Sequence, residues 1–553
     1  MLQIRDPIHG YITLEGMYAN IVNTPEFQRL RAIEQGSFRP VFPGARHDRF
    51  IHSLGTYHLA NKFADRFFEN LEKDVKIKVS AAERKLLKTT FCYAALLHDI
   101  GHAPYSHTTE GFFLEPQDPA RPGTPLIWSQ LCDAIAKEAP QEANLFRNAR
   151  KRYIGAPHEI VSATILVSDQ VYFIPPKERK NVDLALAARM VIGYTYLPGD
   201  LSAFPGIPDS PNPPAPGSIQ DLGIRNCLIQ LLNSSILDVD RLDYLGRDTQ
   251  MSGFFNAPLD LDCLASSVTA VALENGMLAP AYQVTALSVF DLMFQAKLSH
   301  DAWVLASPAG PYDAALLAHC IRQLNNKIHP DYMETVFSRD ALCRDGVSLY
   351  GSVYRLLSDI DIGADLKAQS GGAFDELHTR QLGRRRVAAW RSYYDFHHIF
   401  NDPASGVTPE KVHAFFQPLL NYLDKQHIFI FDFKAYKSIP GTADPALLRA
   451  ADFLHGFLRN LTSDPDKKDN YNVVLLERTN NFTTKLDPAQ IRIVFPEKSL
   501  PLRAGRYTYS TYADLTGVSS DDVRSRKYFY LYRHGGLGYK QLEKLRKALA
   551  NVL

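Results

Sequence analysis

The chain has 553 residues, 45% hydrophobic and 22% charged, a composition ordinary for a soluble globular protein with a large core and two or more folding units. Lys and Arg number 61 against 60 Asp and Glu, so a net charge of +1 offers no global field to draw nucleic acid or an anionic membrane. The six cysteines (Cys92, Cys132, Cys227, Cys263, Cys320 and Cys343) contain no C-x-x-C pair, the amino terminus lacks an apolar signal core, and no 18-residue apolar run occurs. These features argue against a disulfide framework, structural zinc and a membrane span, and the expected location is cytoplasmic.

In chain order, residues 1–16 read as a short strand or hairpin, with Asp-Pro and His-Gly turn signals ahead of Tyr11-Ile12-Thr13-Leu14. Thr24 is a plausible N-cap with Pro25 at the first helical position, and a helix is expected through FQRLRAI. VFPGARHDRF reads as a loop, His52 as the start of a helix, and residues 81–97 as the next helix. His58 is off the His52 face and reads as structural.

That second helix delivers YAALLHDIGHAPYSH, residues 93–107, around which the chain is organised. His98 and His102 are four apart and would share a helical face, with Asp99 between them and Gly101 and Pro104 turning the chain away. His52 upstream and Asp240 in the helical segment SILDVDRLDYLGRDT complete a two-His, two-carboxylate set, His52, His98, Asp99 and Asp240. Such a set suits a divalent ion acting on a phosphoryl oxygen; the bland reading is a helix end with a solvated His-Asp pair. His107 and Glu110, three apart, could form a pair in which the carboxylate orients the imidazole for general acid work. Arg49 and Arg241 sit beside the set, where phosphate charge would need neutralising. Tyr244 and Asp248 recur at i+4 and i+8 from Asp240, while Asp238 and Asp243 read as capping or solvent carboxylates.

The ordered series IRDPIHGYITLEG, TPEFQRLRAIEQG, VFPGARHDRFIHSLG, HD and LDVDRLDYLGRDT resembles the HD superfamily of metal-dependent phosphohydrolases. Within it the likeness is to the branch of the SAM-and-HD-domain deoxynucleotide triphosphohydrolase and its bacterial relatives, over roughly the first 300 residues. The resemblance implies a mainly α fold with one divalent metal (Mn, Fe, Mg or Zn) on the four ligands. It implies His107 and Glu110 as an acid dyad, with Glu110 where the family has Asp, and His102 and His158 as phosphate contacts. Arg49, Arg241, Tyr244 and Asp248 would line the nucleotide pocket. Phe294 would pack against the sugar, in a Phe294-Gln295-Ala296-Lys297 stretch where the family carries Tyr-x-His-Lys. Ala296 and Ala286 stand where the family offers a His and an Arg. The default activity implied is release of deoxynucleoside and inorganic triphosphate from a dNTP. The alternatives are a phosphodiesterase or nucleotidase on another nucleotide, or a non-catalytic nucleotide-sensing scaffold. A homo-oligomer, dimer or tetramer, is expected by the same resemblance; nucleic acid is not indicated. Its allosteric segment carries Asn23 in place of Asp and keeps Arg31, and no SAM domain is expected ahead of it.

The domain expectation is an HD phosphohydrolase domain over 1–369, including a Pro-rich loop at 197–218, and an α+β region over 370–553 that supports oligomerisation or recognition. From about 256 to 369 the pattern reads as helical, in LDLDCLASSV, VTALSVFDLMFQAKLSHDAWVLA, AALLAHCIRQL and GVSLYGSVYRLLSDI. Beyond 370, helices are expected in ELHTRQLGRRRVAAWRSYYDFHHIF, PEKVHAFFQPLLNYLDK and LLRAADFLHGFLRNL. Strands follow in HIFIFDFKAY, NYNVVLLER, QIRIVFPE, GRYTYSTY and KYFYLYRHG, then a terminal amphipathic helix. The adjacent His397-His398 pair reads as structural, and the basic run Arg384–Arg386 as a solvated face.

Overall fold

An antiparallel hairpin, Leu2–Asp6 with Gly10–Leu14, opens the chain, closed by the Asp6 side chain accepting from the amides of Ile8 and His9. In this computed structural model the described residues are 1–36, 41–149, 155–204, 217–234, 237–253, 259–305, 307–349, 351–379, 386–462, 464–480, 487–495, 509–517 and 526–553. They form a mainly helical chain that falls into two compact units, one of residues 1–300, 328–364 and 483–522 and the other of 301–327, 365–482 and 523–553. The chain thus passes between the units several times. The tail supplies Arg492–Val494 and Tyr509–Thr511 to a sheet of the first unit, in the order Tyr509–Thr511, Arg492–Val494, Leu278–Gln283, Val268–Ala272.

In the first unit, Thr24 caps Pro25–Arg29 as its spacing implies, but the α-helix stops there and tightens into a 3-10 turn at Leu30–Ala32. The helix expected from His52 begins three residues earlier. Asp48 caps it by accepting from the Ile51 amide, so Arg49 and His52 both lie on the first turns of Arg49–Asp74. Ala81–Leu97 follows with Ser80 as cap, ending just before His98. One helical expectation fails, in GVSLYGSVYRLLSDI, where Val347–Leu349 and Ser352–Tyr354 pair as a hairpin; a second hairpin, Val268–Ala272 with Leu278–Gln283, lies between two of the expected helical runs. Turn chemistry favours both hairpins, since Gly276, after Asn275, has φ of 79° and Gly351 has φ of 82°, a conformation glycine adopts without strain. Of the Pro-rich loop, Pro198–Ala203 is a 3-10 turn and 205–216 lie outside the described residues.

The second unit is a four-stranded antiparallel sheet ordered Arg386–Ala388, Arg526–His534, Asn472–Asn480, Phe431–Asp432, with helices including Pro409–Lys425, Pro445–Arg459 and Tyr539–Ala550. Arg386–Ala388 was expected to be helical and is a strand, paired to Tyr532–His534. HIFIFDFKAY supplies only two strand residues, because Asp432 caps a helix over Phe433–Lys437. His397 and His398 lie on the short helix Tyr393–Phe400. None of the six cysteines is disulfide-bonded, and among the described residues no helix is long and apolar enough to cross a membrane.

Candidate metal centre and active site

Four side chains converge where the Arg49–Asp74 helix, the end of Ala81–Leu97 and the start of Val239–Met251 meet. His52 Nε2 stands 2.9 Å from Asp240 Oδ1 and 3.6 Å from Asp99 Oδ2. His98 Nε2 stands 3.4 Å from Asp99 Oδ1 and 3.5 Å from Asp240 Oδ1. Ligand atoms held about 2.1 Å from one ion are separated by roughly 3 to 3.5 Å, so these spacings fit a single divalent cation. The ring nitrogens are prepared for it. His98 Nδ1 donates to the Ala95 carbonyl at 2.8 Å, which leaves Nε2 as a lone pair facing the carboxylates, buried and without a hydrogen-bond partner. His52 Nδ1 donates to Asp243 Oδ2 at 2.7 Å, fixing the same tautomer. Burial disfavours a charged His52, yet Asp240 and Asp243 outweigh it and push its pKa up to about 10. Likewise burial would raise Asp240 and Asp99. The neighbouring imidazoles of His52 and His98 hold Asp240 well below the carboxylate range, and Arg49 does so for Asp99. A buried site this rich in carboxylate calls for positive charge, and the donor set fits one divalent ion.

Asp243 was expected to be a capping or solvent group, and this is corrected. It is fully buried and takes His52 Nδ1, His9 Nε2 at 2.7 Å, and both Nε and Nη2 of Arg247, whose Nη1 donates to Asp6. The amino-terminal hairpin is thereby tied to a metal-ligand candidate. Gly55 permits this, because a Cβ there would lie 1.9 Å from Asp243 Oδ1. Asp238 does cap its helix, accepting from the Arg241 amide, but it too is buried. The His58 ring lies 5.1 Å from that of His9 at a tilt of 34°, and burial lowers its pKa to about 4, in keeping with a structural role.

His102 is not on the His98 helix face, since the helix ends at Leu97 and a turn follows. The turn brings His102 Nε2 to 3.1 Å from Asp99 Oδ1, and its ring stacks on His158 at 3.9 Å. Gly101 is required by the same close approach, because a Cβ would sit 2.3 Å from the Ser162 amide nitrogen on the Pro157–Ser168 helix. His107 follows two left-handed residues, Tyr105 and Ser106, at φ of 64° and 52°, a conformation costing about 1–3 kcal/mol per residue for side chains of this kind. Glu110 then receives two imidazoles, His107 Nδ1 at 3.1 Å and His158 Nδ1 at 2.5 Å. The longer side chain thus reaches His107, and it also binds His158, which spacing did not disclose. Burial would raise the Glu110 carboxyl, but these two bonds hold it far below its usual range.

The remaining expected residues are placed as follows. Arg49 donates to Asp99 Oδ2 at 2.8 Å, to Ser106 Oγ and to the Gln35 carbonyl. Arg241 donates to the Ser234 carbonyl and lies 3.3 Å from Asp238. Asp248 is buried between His47, at 2.7 Å, and His300, at 3.1 Å, with the Tyr244 ring 6.3 Å from His300. Phe294 stacks on Tyr512 at 4.9 Å, Arg31 lies over the Phe50 ring, and Ala286 and Ala296 are buried.

Residues 49–122 match the HD domain family. The deoxynucleoside triphosphate triphosphohydrolases SAMHD1 of Bos taurus and Homo sapiens are each 44% identical over 115 residues, 21% of this chain and 18% and 17% of their own lengths. The uncharacterized protein YwfO of Bacillus subtilis is 39% identical over 111 residues, 20% of this chain and 24% of its own. The chain therefore spans less than a quarter of the length of each of these relatives.

Proposed function

We propose that this HD-domain protein is a metal-dependent nucleotide phosphohydrolase, with a dNTP as substrate and deoxynucleoside and inorganic triphosphate as products. The convergence of His52, His98, Asp99 and Asp240 at 2.9–3.6 Å, with the His107–Glu110 pair in the same segment, carries this reading. A divalent ion on those ligands would supply Lewis acidity toward a phosphoryl oxygen and a lowered pKa for water. The chain's own residues do the rest. Asp243 and the Ala95 carbonyl hold the two imidazoles in the tautomer that presents Nε2. Arg49 fixes Asp99, and Glu110 steadies the Nδ1 proton of His107, whose side chain is 58% exposed and able to give a proton from Nε2 to the leaving oxygen. His102 and His158 offer polar edges to phosphate, and Arg241, Tyr244, Asp248 and Phe294 line the nucleotide side of the site. Self-association through the carboxy-terminal region and a cytoplasmic location belong to the same reading.

The buried Ala286 and Ala296 supply no cation for a terminal phosphate, which favours as second reading a phosphodiesterase or nucleotidase on a less charged nucleotide. The test is product analysis on dNTPs, NTPs, cyclic nucleotides and dinucleotides with Mn, Fe, Mg or Zn supplied singly, using Asp240→Ala as blank. Inorganic triphosphate lost in Asp240→Ala supports the first reading and cleavage confined to cyclic or monophosphate substrates the second; no metal-dependent product sinks both.

A further inference from the structure

We infer that Asp359 is a positioning residue for the proton donor: its carboxylate holds the Tyr105–Ser106 turn in the left-handed conformation that presents His107. The inference rests on the reading of His107 given above.

Two successive non-glycine residues in the left-handed region persist only where surrounding bonds over-determine them. Asp359 anchors these bonds from 254 positions away in the sequence. Its Oδ1 accepts from the Tyr105 amide at 2.6 Å and its Oδ2 from the Glu34 amide at 2.9 Å. The Glu34 carbonyl in turn accepts from Ser106 Oγ at 2.5 Å, so the carboxylate holds Tyr105 directly and Ser106 through the Glu34 that it fixes. The segment carrying Asp359 is itself seated against the metal-ligand turn. Arg29 donates at once to the carbonyls of Leu357, His102 and Ile100, at 2.9, 2.9 and 2.6 Å. One turn beyond Asp359, a Cβ on Gly363 would come within 3.0 Å of the Tyr105 hydroxyl.

The arrangement is expensive for the fold. Asp359 is 8% exposed, and burial pushes its carboxyl up to about 7 against the opposing pull of the two amide bonds, with Glu34 adding repulsion and Arg29 attraction. A carboxylate that is costly to ionise where it sits gains little for stability by being there, and what it secures is a local conformation.

The experiment compares metal-loaded wild type with Asp359→Asn, in which the amide keeps one acceptor and turns a donor toward the other backbone N–H; Asp359→Ala is the second variant. Peptide hydrogen exchange over residues 103–110 should accelerate at least about tenfold. Turnover number should fall about 10- to 100-fold, with KM and metal content within about twofold and thermal stability at pH 8 no lower. Unchanged exchange over 103–110 overturns the inference, as does faster exchange with turnover intact. A wild type that hydrolyses no nucleotide instead removes the phosphohydrolase reading, while the exchange arm still decides whether Asp359 holds the turn.

Discussion

Asp243 Oδ2 lies 2.7 Å from Nδ1 of His52, on the opposite side of the ring from Asp240, which approaches Nε2 at 2.9 Å. The imidazole is therefore oriented by one carboxylate for a task shared with another, and the orienting carboxylate is itself gripped by Arg247 and His9.

Replacing Asp243 by Asn should leave the four ligand candidates in place but lower metal affinity about 10- to 100-fold, the usual effect of removing such an outer partner. Titration with buffered Mn or Zn checks this. In parallel, the metal-dependent gain in melting temperature should shrink in Asp243→Asn and vanish in Asp240→Ala. Equal affinity in wild type and Asp243→Asn would refute the orienting role.

Gly101→Ala should be among the most damaging small substitutions. Its Cβ would meet the Ser162 backbone nitrogen at 2.3 Å and the His158 carbonyl at 2.7 Å, and backbone cannot swing aside as a side chain can. A loss of about 3 kcal/mol or more in denaturant unfolding is expected, at the upper end of overpacking effects. Gly111→Ala, with nothing within 4 Å of the added carbon, should differ little from wild type.

Glu110→Gln removes the charge that bonds both His107 and His158. Turnover should fall about 100-fold while one metal per chain is retained, since none of the four ligand candidates touches Glu110. His107→Ala should lose at least as much, and combining it with Glu110→Gln should cost little more, because the two act as a unit. Additive losses in the double variant would show that they do not.

Asp359 sets a pH dependence of stability whose sign is opposite to that of a salt-bridged carboxylate. Its carboxyl ionises near pH 4 in the unfolded chain but only near 7 when folded. The folded state therefore holds the extra proton, and stability drops as pH rises from about 4 to about 7, by a few kcal/mol at most. Unfolding free energies at pH 5 and pH 8 should differ by more in wild type than in Asp359→Asn. A wild-type stability that instead rises across that window relative to the variant would contradict the burial cost.

The amino-acid sequence by itself determined the helices that carry the site and the chemistry they carry. Thr24-Pro25, Ser80 and the apolar periodicity of 81–97 act through contacts within a few residues, and the His, His-Asp and Asp motifs are residue types that few other chemistries need. The Asn275-Gly276 pair is likewise a hairpin signal present in the sequence, between the two strands that it joins. Only the tertiary structure decided what Asp243 and Asp359 do. Asp243 meets His52 across 191 positions and His9 across 234, and Asp359 meets Tyr105 across 254. Spacing along the chain says nothing of such partners. A carboxylate three residues from a metal ligand looks the same in sequence whether it faces water or a buried imidazole, and folding alone chooses, by removing water from one of its sides.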